Sequence, residues 1–221
     1  MAAVIARGVR DGEAVGIGVN SPVPTAGVLL ARRLHAPNLR LRSPGLDGAV
    51  AFIGSKEFFD FAQRGELDLF FLSGIQIDAH ARLNLHVLGE YARPERRFAG
   101  AFGSAVLYPV VRRVVLFRME HSPRVFVEKV DFVTAAGRPE FVVTPRAVLE
   151  PHPDTGRLEL ASYHPGESVE SVRASTGFEL AARPDVHETF PPSEVELELL
   201  RGPVLAEMAG AYPSYVAGAR A

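Results

Sequence analysis

Four stretches of the sequence hold residue types that could do chemistry. In "NLRLRSPGLDGAV" (38–50) an extended run, Leu39 to Arg42, stops at Ser43-Pro44-Gly45. A sharp turn at a strand end is where α/β enzymes display reactive groups. A serine there becomes a nucleophile only with a base and an oxyanion site beside it. The Gly-x-Ser-x-Gly pattern is absent, and a Ser before Pro reads first as a turn residue. "GIGVNSPVP" (16–24) runs a glycine-bearing strand end into a helix start, where exposed N–H groups can hold an anion. Close strand packing is the plainer reading of those glycines, and Asn20 is the residue to follow. In "RRFAGAFGSAV" (96–106), Gly100 and Gly103 flank Ala101 and Phe102. Such a loop brings backbone close to a ligand and can offer N–H donors to an acyl oxygen, or it is an ordinary turn. "RMEHSPRVFVEKVDFVT" (118–134) sets Glu120 beside His121. Extended neighbours face opposite ways, so the pair is no ready acid–base couple, and His121 reads as a hydrogen-bonding structural histidine. No histidine has the i, i+4 carboxylate pairing of a metal site, and no metal is expected.

The elements that must position these residues alternate. Helix is expected over 2–11, with Val4, Ile5 and Val9 on one side, and from Ser21 to about His35, with Pro37 beyond its end. Strands are expected at 14–20, at the quoted run, at 49–54, at 67–74 and over 82–89. Between them "KEFFDFAQRG" reads as a helix that Ser55 can cap and Gly65 closes. The 67–74 run has no polar face, as in a sheet covered on both sides. Later the texture changes. Strands are expected at 112–119 and 124–134, and a strand pair follows in 141–164, joined by Pro153-Asp154-Thr155-Gly156. A helix then runs to Gly177. Ser193, three residues before Glu196, has capping-box spacing, and 209–221 reads as a loose tail. The pattern predicts an α/β fold with an open, mostly parallel sheet flanked by helices and an antiparallel part in the second half. There is no internal repeat or low-complexity linker.

Composition limits the function classes. A chain of 221 residues suits one domain, 1–221, and 47% hydrophobic residues suffice for a core. The net charge of −2 gives no reason to expect nucleic acid. The absence of Cys excludes disulfides, thiolate metal sites and a thiol nucleophile. The N-terminus is too short and polar for a signal peptide, and no apolar run reaches the length of a membrane span. A cytoplasmic protein with no membrane contact is the expectation.

Taken together, "IQIDAHARLNLHVLGEYARPERRFAGAFGSA" and "MEHSPRVFVEKVDFVTAAG" resemble the β subunit of family I CoA-transferases, the glutaconate CoA-transferase type in particular. The family's Gln-x-Asp element, strand Asn, Gly with an acidic neighbour, Pro, basic pair and glycine loop fall in order. They match Gln76, Asp78, Asn84, Gly89-Glu90, Pro94, Arg96-Arg97 and Gly100–Ser104. "DGEAVGIGVNSPVPTAGVLLARRLHAP" and "LASYHPGESVESVRASTGFEL" extend the likeness over almost the whole chain.

The resemblance implies an α/β subunit that pairs with a homologous α subunit, as a heterodimer or α2β2, with a homo-oligomer as the alternative. It implies an active site between chains and coenzyme A as part of an acyl-CoA substrate, with no permanently bound cofactor. In the family a β-chain Glu attacks the thioester from a Glu-Asn-Gly or Glu-Ser-Gly turn. Here Ser43 stands at the Glu position and Gly45 at the Gly, so the turn is kept and the carboxylate is missing. Asp47 is near, with shorter reach and the wrong register. The glycine loop departs too, with Phe102 at a glycine position. The site set that the resemblance implies is Ser43 at the catalytic position, with Asn20, Gly45, Gln76, Gly100, Ala101, Phe102 and Gly103 toward substrate or CoA. Three readings follow: a CoA-ester hydrolase subunit whose carboxylate comes from the α chain, a CoA-transferase with an unusual turn, or a non-catalytic binding or scaffolding subunit.

Overall fold

The computed structural model describes residues 1–43, 46, 49 and 54–220. Pro44, Gly45, Asp47 and the inner part of the strand expected at 49–54 lie outside the described residues. The contacts cluster into two compact units, Met1–Phe71 with Pro192–Ala221, and Leu72–Pro191.

The first unit opens with α1 (Ala2–Gly8), β1 (Ala14–Gly16), α2 (Pro22–Leu34), β2 (Arg40–Arg42), α3 (Ser55–Gln63) and β3 (Leu69–Leu72). β1 pairs in parallel with both neighbours, Val15 lying opposite Leu41 and Leu69. All three of its residues are buried, as a central strand covered on both faces requires. α1 packs against α2 at Gly27, where a Cβ would sit 2.5 Å from Ile5 Cγ2, so only glycine lets the helices come this close. α1 stops at Gly8 rather than running to 11, and Gly54, not Ser55, is the N-cap of α3.

The second unit holds β4 (Gln76–Asp78), β5 (Leu83–Asn84), β6 (Val87–Leu88), β7 (Arg96–Arg97), α4 (Ser104–Val110), β8 (Arg113–Phe117), β9 (Phe126–Val127), β10 (Phe141–Val143), β11 (Ala147–Pro151), β12 (Leu158–Tyr163), α5 (Val169–Ala174) and β13 (Ala181–Glu188). Its main strands run in the order β13-β12-β11-β10-β8. β8–β10 and β12–β13 are parallel, while β10–β11–β12 form the antiparallel part. A small set, β5-β4-β9, carries Gln76, Asp78 and Asn84. The expected α/β architecture of mostly parallel strands with flanking helices, and an antiparallel part in the second half, is therefore the observed one. The 124–134 run is a strand only at Phe126–Val127, the 82–89 run divides into β5 and β6, and 141–163 holds three strands rather than two. β13 falls where no strand was expected.

The chain then returns to the first unit as α6 (Glu194–Leu199), a π turn (Leu200–Val204) containing Pro203, α7 (Leu205–Met208) and α8 (Pro213–Arg220). Proline has no N–H to give the helical ladder, and the ladder widens around it. The expected loose tail is thus largely helical: Val216 on α8 is buried, and Thr25 Oγ1 donates to Tyr212 Oη at 3.2 Å. Among the described residues no helix is long and apolar enough to cross a membrane.

Candidate active site

In the second unit the site is built outward from two buried polar side chains on adjacent strands. Asn84 on β5 donates from Nδ2 to Gln76 Oε1 on β4 at 2.7 Å and to the Val87 carbonyl at 2.5 Å. Its Oδ1 accepts from the backbone N–H groups of His86 and Val87. Fully buried amides must be satisfied in this way, since an orphaned one costs about 1–3 kcal/mol. Gln76 passes the network on. Its Nε2 donates to Asp131 Oδ2 at 3.1 Å and its Oε1 accepts from the Asp131 N–H. Asp131 Oδ2 then accepts from the Gly89 N–H at 2.9 Å. Both ends of the Gln76 amide are therefore spent on positioning neighbouring loops.

Asp78 closes the other end of β4. Its buried carboxylate accepts from the N–H groups of His80 and Arg82, from Arg82 Nε at 2.7 Å and from the Val130 N–H. This holds the turn at Ala81, whose carbonyl accepts from Tyr108 Oη at 3.0 Å. Burial, reinforced by the nearby Asp78 charge, raises the Tyr108 phenol far above its ordinary value, so it stays a neutral donor.

The glycine loop stands against this frame. The Phe98 N–H donates to the His86 carbonyl at 2.8 Å. Gly100, Phe102 and Gly103 all have positive φ, of 96°, 32° and 73°. A bulky residue at positive φ is a backbone outlier, strained by roughly 1–3 kcal/mol. Phe102 holds that conformation while 74% exposed. The Ala101 carbonyl is taken by Ser104, through both its N–H and its hydroxyl. A Cβ on Gly100 would lie 3.3 Å from His86 Nε2. The second unit thus brings Gln76, Asn84, His86 and the 100–103 loop together.

Asn20 and Ser43 belong to the first unit. Asn20 is exposed, at φ 58°. Gly16 serves packing: a Cβ there would meet Phe70 Cδ2 at 2.7 Å, which favours the plainer reading of the Gly-x-Gly. Ser43 is only 2% exposed, and among the described residues its hydroxyl has no hydrogen-bond partner. Gly45 lies outside the described residues.

Glu120 and His121 do diverge. Glu120 accepts from Arg124 and Ser122, and the Arg124 hydrogen bond holds its carboxyl below the usual range. His121 is buried, with its ring nitrogens 2.8 and 3.0 Å from the hydroxyls of Thr144 and Thr176. Among the described residues no group of three or more His, Asp or Glu side chains is placed to hold a metal. Sequence reasoning passed over His86, Asp131 and Thr134. The available signal was their place in the quoted motif segments, His86 two residues past Asn84 and the other two closing the 118–134 stretch.

The model of the coenzyme A transferase family matches residues 46–175. The chain is 28% identical to one subunit of the 3-oxoadipate CoA-transferase of Pseudomonas knackmussii, over 91% of this chain and 90% of that protein. It is 26% identical to the cholesterol ring-cleaving hydrolase IpdB subunit of Rhodococcus jostii, over 81% of this chain and 80% of that one. Among solved structures it matches the decarboxylase AibA/AibB with a TM-score of 0.83 at 28% identity, covering 90% of this chain and 91% of that chain.

Proposed function

The chain belongs to the coenzyme A transferase family, and on that premise we propose that it is the β-type subunit of an enzyme acting on acyl-CoA thioesters whose reacting carboxylate comes from a partner α subunit. Ser43 carries this reading. It stands where the family's β-chain Glu is expected, is buried, and has no hydrogen-bond partner among the described residues. Transfer through this chain would need a carboxylate to attack the thioester, form an anhydride and then hold CoA as a glutamyl thioester. An alcohol does neither without a base in reach to deprotonate it. Hydrolysis on a CoA-thioester substrate is the chemistry we assign to the complex. The hydrolase and decarboxylase names among similar proteins support a use of this β-type chain beyond CoA transfer.

In this reading the whole chain acts as one β-subunit-like domain. Within the second unit the 100–103 loop faces the acyl group and Gln76 holds the strands behind it; the resemblance also implicates Asn20 and Gly45 in substrate binding. Coenzyme A enters as part of the substrate. The partner is an α subunit, in a heterodimer or α2β2, as the two-part name AibA/AibB supports. The compartment is the cytoplasm.

The test uses the complex captured by native pull-down. After incubation with acyl-CoA and then borohydride, the mass of this chain should be unchanged. A modified peptide covering Ser43 or Asp47, such as an Asp47 side chain reduced to the alcohol with loss of CoA, would restore the transferase reading, which the 3-oxoadipate relative favours. A folded chain recovered alone, with no α-type partner, would end the shared-site reading.

A further inference from the structure

We propose that His86 is a catalytic residue of this site, donating a hydrogen bond from Nε2 to the acyl oxygen of a thioester seated against the 100–103 loop, and that Thr134 is the positioning residue that fixes its tautomer. The inference rests on the acyl-CoA reading above.

The tautomer is part of the proposal. Thr134 Oγ1 accepts from the Leu85 N–H at 2.9 Å and lies 2.7 Å from His86 Nδ1. Among the described residues Nδ1 is the acceptor within reach of the Thr134 hydroxyl proton. The one hydroxyl proton is assigned to Nδ1; the opposite arrangement, with the oxygen's second lone pair accepting from Nδ1–H, is the outcome that nitrogen NMR distinguishes. Neutral imidazole then carries its own proton on Nε2. That nitrogen has no hydrogen-bond partner among the described residues. It faces Gly100: the three nearest neighbours of a Cβ built there are all atoms of the His86 ring, with Nε2 the closest at 3.3 Å. With φ at 96°, Gly100 favours glycine, and the space before Nε2 stays free of its side chain. The ring packs against Phe132 in an edge-type arrangement, centroids 5.2 Å apart, and Tyr91 stacks on Phe132 at 4.8 Å. Bonds to its backbone fix the rest: the His86 N–H donates to Asn84 Oδ1 and the His86 carbonyl accepts from Phe98, just past β7 on the way into the loop. A fixed neutral donor beside a loop of exposed backbone is what a developing oxyanion needs, and it moves no proton.

The experiment uses the complex with its α-type partner and an acyl-CoA that the complex turns over. His86→Leu should lower kcat by about 100-fold, the usual cost of one oxyanion donor, with KM little changed. His86→Gln, whose amide nitrogen reaches nearly the same point, should recover much of the loss. Thr134→Val should lower kcat less than His86→Leu does, and Thr134→Ser should restore it. Nitrogen NMR of the wild-type complex should show the proton on Nε2, with a mixture of tautomers in Thr134→Val. Wild-type kcat in His86→Leu, or a proton on Nδ1 in the wild type, overturns the inference and leaves the acyl-CoA reading standing. A wild-type complex that neither binds nor turns over any acyl-CoA overturns both. If His86→Leu fails to assemble, the Gln variant and the NMR result decide.

Discussion

Burial removes His121 from acid–base work. Both ring nitrogens face threonine hydroxyls, and lost hydration, reinforced by the Arg146 charge, lowers its pKa to about 4. An unfolded histidine titrates near pH 6.5. Above that pH neither state carries the proton, and stability is unaffected. Between about 6.5 and 4 the unfolded chain takes up a proton that the native state refuses, so stability falls by about 1.4 kcal/mol per pH unit. Below about 4 both states are protonated and the loss stops. His121→Gln, which keeps one donor and one acceptor for the two threonines, should flatten this part of the pH dependence of the urea midpoint. Equal slopes for variant and wild type would assign the effect to another group. The adjacent Glu120 titrates in a separate, exposed setting, and that separation was legible from the alternation of side chains along an extended segment.

Where the sequence and the elements disagree, a side chain has taken over a backbone hydrogen bond. The 124–134 run has strand composition, yet the N–H groups of Val130 and Asp131 bond to Asp78 and Gln76 rather than to a neighbouring strand. The 82–89 run breaks at Leu85 and His86 because their N–H groups go to Thr134 and Asn84. Partners 42 to 55 residues distant in sequence, such as Asp131 for Gln76 or Gly89, leave no periodic trace. β13 escaped notice because an edge strand with Pro184 and mostly exposed residues has no buried face to show as alternation. Local signals were legible where they are self-contained. The Ser193 hydroxyl accepts from the Glu196 N–H at 3.2 Å while Glu196 Oε2 accepts from the Ser193 N–H at 2.7 Å. Glu196 also takes both Nε and Nη2 of Arg7. Ser193→Ala should therefore cost about 1 kcal/mol, and Glu196→Ala should cost more, since it removes the Arg7 ion pair and half of the cap together. Thermal unfolding of the two variants checks the order, and equal losses would mean that the Arg7 pairing adds nothing.

Within the first unit the alternation of helix and strand was enough to read the parallel β3-β1-β2 core, because each of those strands is short and bounded by its own turn or helix signals. The same alternation could not reveal that the last thirty residues return to this core, since a helical pattern broken by Gly and Pro does not say which distant element it covers. Their anchoring is specific. Glu207 takes Arg32 and Arg33 of α2, Glu196 takes Arg7 of α1, and Val204, Leu205, Met208 and Val216 are buried. Fully burying a side chain of this kind contributes roughly 1.5–3 kcal/mol, so the four together approach the whole stability of an ordinary domain, about 5–15 kcal/mol. A chain ending at Pro191 should therefore lose amide-exchange protection throughout α1, β1 and α2. The uncovered surfaces of α1 and α2, apolar and rimmed by Arg7, Arg32 and Arg33, should also make it prone to associate with itself. Unchanged protection in those three elements would show that the N-terminal core stands without its C-terminal cover, and that the buried positions of 204–216 add packing to a unit already stable.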